Sequence, residues 1–182
     1  AAGKSIRGGV PICWPWFGAH ATEPGFPGHG YARTVPWEVT ATRPLPDGST
    51  EIAMALVESD ATRAMWNHPS KAEILVTVGK TLKIALTTRN LGDADFVIGE
   101  ALHTYFHIGD IGEARVLGLE GCEYMDKAGG GMRKQQQGEI DFSNETDRVY
   151  VGAEAECVIE DTRLQRRIRI AKTGSRSTVV WT

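Results

Sequence analysis

Along most of this chain apolar and polar residues alternate with the two-residue period of half-buried strands. Glu51-Ile-Ala-Met-Ala-Leu-Val-Glu58 and Ala72-Glu-Ile-Leu-Val-Thr-Val78 read this way. Gly79-Lys80 predicts a tight hairpin turn into the strand Thr81-Leu-Lys-Ile-Ala-Leu-Thr-Thr-Arg89, and Pro46-Asp-Gly48 predicts another turn. A strand is expected from Trp37, with later ones near 114–119, 139–142, 148–151, 155–160, 165–171 and 177–181. No segment carries a convincing helical period, and no internal repeat or linker is visible. Short strands at regular spacing predict an antiparallel sandwich, a single all-β domain over residues 1–182. Lys127-Ala-Gly-Gly-Gly-Met-Arg-Lys-Gln-Gln-Gln-Gly138 is polar and glycine-rich, and is expected to be a flexible, disordered loop.

One predicted strand carries unusual chemistry. Phe96-Val-Ile-Gly-Glu-Ala-Leu-His-Thr-Tyr-Phe-His-Ile108 has the β-branched and aromatic content of a strand. Alternation puts Ala101, His103, Tyr105 and His107 on one face and Leu102, Thr104 and Phe106 on the other. Two imidazoles and a phenol on one sheet face suit a concave surface that holds a small polar ligand, although a lone histidine is more often a satisfied core residue.

The N-terminal third departs from the β pattern. From Lys4 to Gly18 the chain is dense in proline, glycine and aromatics. Pro11 and Pro15 lack donors and Gly8-Gly9 loosen the backbone, so no regular helix is expected. Irregular backbone bearing Trp14, Trp16 and Phe17 reads as a packed loop lining a pocket. Arg7 beside two glycines is a candidate anion contact, or equally a surface arginine. Glu23-Pro-Gly-Phe-Pro-Gly-His-Gly30 is a turn-rich loop that delivers His29 and, four residues on, Arg33, a pairing suited to a sugar or phosphate. Asp147 stands beside Arg148 at a strand entry, either as a turn with a solvated ion pair or as a ligand contact. The basic residues of 163–169 alternate with Leu164, Ile168 and Ile170, which is the wet face of an edge strand.

Composition narrows the function classes. The 182 residues suffice for one domain with a real core. A net charge of −3 gives no general attraction to nucleic acid or anionic membranes, and the basic run lacks aromatics for stacking bases. No apolar run approaches the roughly 20 residues that span a bilayer, and Ala1-Ala-Gly-Lys-Ser-Ile-Arg7 lacks the apolar core of a secretory signal. Cys13, Cys122 and Cys157 are odd in number and widely spaced, so neither a disulfide framework nor a zinc site is expected, and a cytoplasmic location fits.

Taken together these stretches resemble the aldose 1-epimerase (galactose mutarotase-like) family, in its hexose-6-phosphate 1-epimerase branch. The matching pieces are Ile6-Arg-Gly-Gly-Val-Pro-Ile-Cys-Trp-Pro-Trp-Phe-Gly18, His29-Gly-Tyr-Ala-Arg33 and Ala101-Leu-His-Thr-Tyr-Phe106. They continue with Asp110, Gly118-Leu-Glu-Gly121, Tyr124-Met-Asp-Lys127, Glu145-Thr-Asp-Arg-Val-Tyr150 and Gly174-Ser-Arg-Ser-Thr-Val-Val-Trp181, in the family's order. The resemblance implies an antiparallel β-supersandwich and interconversion of the α and β anomers of a hexose 6-phosphate, usually glucose 6-phosphate. It implies His103 as general acid at the ring oxygen, with Arg7, His29, Arg33 and Asp147 binding substrate. Gly28 precedes His29 where some relatives carry a polar residue. No metal or cofactor is implied, and the expected partner is the small-molecule sugar phosphate alone, met by a monomer. The family's catalytic glutamate falls beyond Thr182, and family strands precede Lys4 and follow Trp181. The 182 residues are therefore expected to be the central part of the fold and to be inactive alone. The alternative is a non-catalytic sugar-phosphate-binding β-sandwich.

Overall fold

The computed structural model describes residues 7–182. Ala1 to Ile6, which hold the start of the proline-rich loop and the stretch read for a signal, lie outside the described residues. The chain forms two compact units, one ending at Phe106 and the other running from His107 to Thr182.

The first unit is built on a four-stranded antiparallel sheet. Strands β2 (Trp37–Pro44), β3 (Thr50–Leu56), β4 (Ser70–Val78) and β5 (Leu82–Asn90) follow one another in order. Each strand predicted between Trp37 and Arg89 is present, within two residues at either end. The β2–β3 turn forms where Pro46-Asp-Gly48 predicts it. The Asp47 carboxylate accepts from the Ser49 N–H at 3.0 Å and from its hydroxyl at 2.6 Å, and Gly48 takes φ 82°. A bulge between Val39 and Ala41 shifts the β2–β3 register. Two short strands, β1 (Ile12–Cys13) and β6 (Ala101–Leu102), pair separately. The core of this unit gathers Trp14, Trp16, Tyr31 and Ala32 of the irregular N-terminal segment against Leu56 of β3 and Ala72 of β4.

Two expectations fail here. A helix, α1 (Asp60–Met65), does form, capped by Ser59, whose side chain accepts from the Thr62 N–H while Thr62 reaches back to the Ser59 N–H. Six residues are too few to set up a helical period, and threonine replaces the usual Glu/Gln of that motif. The strand expected over 96–108 reduces to Ala101–Leu102, because its backbone partner among the described residues is an interrupted, proline-bearing segment.

The second unit holds two antiparallel sheets. One contains β7 (Ala114–Leu117), β11 (Cys157–Asp161) and β12 (Arg166–Ile170), in the order β12-β11-β7. The other contains β8 (Glu123–Asp126), β9 (Met132–Gln135), β10 (Asp147–Val151) and β13 (Ser177–Trp181), in the order β13-β10-β8-β9. Both enclose one core: Val116 and Ile159 come from the first sheet, Tyr124 and Tyr150 from the second, with Leu119 and Ile140 between. As predicted, the arginine run lies on an edge strand, β12, with Arg166, Arg167 and Arg169 exposed. The strand expected over 139–142 is a single bridge from Ile140 to Val116.

The polar loop over 127–138 is not disordered. It holds the turn and second strand of the β8–β9 hairpin, and Gln136 at its end is buried. The Asp126 carboxylate accepts from the Gly129 N–H at 2.9 Å and the Lys134 ammonium at 2.7 Å, closing the glycine turn. The Gln136 oxygen accepts from the Tyr150 hydroxyl at 2.7 Å and from Arg148 at 3.0 Å, and its amide donates to the Gln137, Gly138 and Glu139 carbonyls. Composition marks such a segment as flexible; pairing with β8 and a satisfied buried amide hold it instead.

Candidate active site

The segment from Gly9 to Pro15 lies antiparallel to the one from Gly99 to Tyr105. Tyr105 N–H donates to the Gly9 carbonyl at 2.8 Å, His103 N–H to Pro11 at 2.9 Å, and Gly99 N–H to Pro15 at 2.9 Å. Ile12 and Cys13 face Leu102 and Ala101 between those bonds. The prolines have no N–H to give, so the N-terminal segment supplies carbonyls there. Although the regular strand ends at Leu102, the alternation persists: Ala101, His103 and Tyr105 are half-buried while Leu102, Thr104 and Phe106 are exposed. The His103 and Tyr105 rings stack, with centroids 4.9 Å apart and planes 19° from parallel. His107, expected on the same face, belongs to the second unit and is exposed; its carbonyl accepts from Arg166.

A second loop brings another imidazole beside the first. His29 N–H donates to the Gly18 carbonyl at 2.6 Å, and Gly18 N–H donates to His29 Nδ1 at 3.1 Å. His29 and Gly30 take φ 64° and 73°, a left-handed pair that turns the chain sharply. A Cβ on Gly30 would stand 1.9 Å from the Trp14 carbonyl oxygen, so only glycine allows this approach. The same carbonyl accepts from the N–H groups of Tyr31 and Ala32 at 3.1 and 3.3 Å. The His29 ring lies 6.2 Å from the His103 ring, almost perpendicular to it at 87°. Because Nδ1 accepts, the neutral His29 ring carries its hydrogen on Nε2 and presents a donor there.

The guanidinium of Arg33 donates to the Gly28 carbonyl at 2.7 Å, which fixes it against the residue before His29. A pocket of about 260 Å³ borders Arg33, lined also by Gly8, Pro11, Ile12, Ala32 and Trp37. Neither imidazole lines that pocket, so its volume does not define the space between them. Arg7 is exposed at the start of the described chain, two residues before Gly9. Cys13 is buried under this layer. Burial pushes its thiol up, more than the nearby Arg33 cation lowers it, which makes it a packing residue rather than a nucleophile. Burial likewise raises the Tyr31 phenol, with Glu58 adding to the effect. Among the described residues no group of three or more His, Cys, Asp or Glu side chains is placed to hold a metal ion.

The structure thus brings His29, His103 and Arg33 into one neighbourhood. Asp147 lies in the second unit, half-buried at the start of β10, with its carbonyl accepting from Lys127 N–H at 2.8 Å. Of the two readings of Asp147 open from sequence, the solvated ion pair with Arg148 does not form. Neighbouring strand residues point to opposite faces, and Arg148 is bound by Gln136 and lies 5.1 Å over the Tyr124 ring. The i, i+2 spacing placed Tyr105 on the face of His103, and the two rings stack there. Sequence reading passed over Trp14 as a junction, for which no local signal exists.

The sequence profile of aldose 1-epimerase matches residues 2–182. Relatives from Salmonella typhimurium and Escherichia coli, both described as "putative glucose-6-phosphate 1-epimerase", are 38% and 37% identical over 180 residues, 98% of this chain. The chain spans 59% of the length of each of them. The crystal structure of a Salmonella typhimurium protein described as a "putative mutarotase" superposes with a TM-score of 0.90 at 37% identity, over 100% of this chain and 59% of that one. A Synechocystis protein of 21% identity shares the fold, with a TM-score of 0.84 over 98% of this chain and 65% of its own.

Proposed function

Since the chain belongs to the aldose 1-epimerase family, we propose that the intact protein interconverts the α and β anomers of a hexose 6-phosphate, glucose 6-phosphate first among them. The observation that carries this reading is the perpendicular pair of imidazoles, His29 and His103, held 6.2 Å apart by two separate loops. Anomer exchange needs a proton delivered to the ring oxygen and another removed from the C1 hydroxyl; the ring then opens, the C1–C2 bond rotates, and the ring closes on the other face. Proton transfer alone achieves this, so no metal or cofactor is required.

In this scheme His103 is the general acid. Imidazole is the side chain suited both to give and to take a proton near neutrality. His29 donates from Nε2 to a sugar oxygen, in the tautomer that the Gly18 N–H selects. Arg33 and Arg7 grip the phosphate, for which a planar guanidinium fork is well shaped. For Asp147 the sugar-contacting role rests on its motif. The base of this scheme is the glutamate that the family resemblance implies, and it is assigned to no residue of the present chain. A monomer acting in the cytoplasm on a soluble sugar phosphate is part of the same proposal.

The test is magnetisation-exchange NMR on the intact protein with glucose and glucose 6-phosphate. A charge-assisted hydrogen bond contributes about 1.5–3 kcal/mol, so the phosphate ester should be exchanged at least tenfold more efficiently. Equal efficiency on both sugars would refute the phosphate-binding role of the arginines.

A further inference from the structure

One chain of hydrogen bonds in the first unit is not accounted for by the chemistry above. The indole N–H of Trp14 donates to the Thr88 hydroxyl oxygen at 2.9 Å, and that hydroxyl donates to the Glu100 carboxylate at 3.1 Å. These residues lie 74 and 12 positions apart in sequence. Trp14 is buried, 1% exposed; Thr88 is half-buried on β5, an edge strand of the four-stranded sheet; Glu100 is exposed, three residues before His103.

Both ends of this relay reach the imidazoles. The Trp14 carbonyl accepts from Tyr31 and Ala32, and its backbone bridges Gly30, so Trp14 sets the turn that presents His29. Its indole ring packs edge-on against Tyr31, centroids 5.6 Å apart. At the other end, Glu100 sits between Gly99 and Ala101, both paired with the N-terminal segment. Alternation turns Glu100 to the face opposite His103, so its carboxylate is spent on Thr88 rather than on the ligand side. Backbone bonds along the segment resist sliding, and this side-chain relay ties its flank to the four-stranded sheet.

We infer that the Trp14–Thr88–Glu100 relay is the positioning device that fixes the His29 turn and the His103 segment relative to each other. The direction of the bonds supports this. An N–H donor at one end and a carboxylate acceptor at the other leave the central hydroxyl a single orientation, and each bond polarises the next. A site held by groups on a sheet keeps its geometry better than one carried by loops alone. Thr88 and Glu100 are positioning residues under this reading, and the kinetic part of the inference rests on the proposed epimerase function.

The experiment compares Thr88→Val, Thr88→Ser and Glu100→Ala in the intact protein. Valine keeps the shape and removes both bonds; serine keeps the hydroxyl; Glu100 is exposed, so its truncation reports even where Thr88→Val folds poorly. A displacement of order 1 Å at a reacting group costs about a hundredfold. Thr88→Val and Glu100→Ala should therefore lose roughly ten- to a hundredfold in kcat with KM little changed, and Thr88→Ser should recover most of it. In parallel, the ¹⁵N and ¹H signals of the His103 imidazole should move in Thr88→Val and return in Thr88→Ser. Wild-type kcat and unmoved His103 signals in the valine and alanine variants would overturn the inference, as would a loss that serine does not recover. Should the wild-type protein exchange no anomers at all, the proposed function fails, and the His103 signals alone decide the positioning role.

Discussion

His29 and Gly18 bind each other twice, the His29 N–H giving to the Gly18 carbonyl at 2.6 Å and the Gly18 N–H giving to His29 Nδ1 at 3.1 Å. The pair closes the loop between them and sets which ring nitrogen accepts. His29→Asn is the informative substitution, because asparagine tolerates the left-handed φ of 64° at this position. It removes the Nε2 donor while leaving the turn intact. Loss of one hydrogen bond of about 1–2 kcal/mol should lower kcat/KM about five- to thirtyfold. Steady-state anomer-exchange rates, with an unchanged unfolding midpoint as control, check this.

His103→Asn should cost far more. Asparagine preserves much of the shape and cannot shuttle a proton, so a loss of roughly 10²–10⁴ in rate is expected. His107→Asn is the matched control, since His107 is exposed and contributes its carbonyl rather than its ring to Arg166. Exchange rates for the two variants settle which imidazole acts; equal losses would mean that His103 is not the acid.

Gly30 and Gly28 flank the same histidine but should respond oppositely to alanine. At Gly30 the new Cβ meets the Trp14 carbonyl oxygen at 1.9 Å with φ at 73°, and neither backbone can retreat without breaking the turn. Gly30→Ala should destabilise by more than about 3 kcal/mol. At Gly28 the nearest atom is 3.9 Å away, and Gly28→Ala should stay within about 0.5 kcal/mol of wild type. Chemical denaturation of the two variants provides the comparison.

Asp161 predicts the acid limb of stability. Its side chain is fully buried, which raises the carboxyl. Hydrogen bonds from Leu164 N–H, Arg166 and Gly109 N–H outweigh burial and hold it below the usual carboxylate range. A group depressed in the folded state stabilises that state above its unfolded pKa of about 3.9, and the contribution is lost as pH falls through the lower folded value. Unfolding midpoints measured from pH 7 down to pH 3 should therefore fall steeply below about pH 4. Asp161→Asn should start lower and fall less over the same interval.

Much of this molecule was already legible in its residue order. The strands β2 to β5 and β10 to β13 lie close to where the two-residue period places them, because a half-buried strand writes its two faces directly into alternate positions. Turn chemistry at Pro46-Asp-Gly48 and Gly79-Lys80 was equally local. The loop motifs around Arg7, His29 and His103 pointed to the family through residue types that irregular backbone demands. Only tertiary structure decided the rest. That the strand carrying His103 shrinks to two residues depends on the proline-bearing partner it meets, not on its own sequence. That Lys127 to Gly138 is an ordered hairpin depends on β8, and on Gln136 finding Tyr150 and Arg148. The His29–His103 pair and the Trp14–Thr88–Glu100 relay join residues up to 74 positions apart, with no period or spacing between them. Periodicity reports which side of an element is buried; which residues meet across elements is set by packing, and packing is written in no single stretch of the chain.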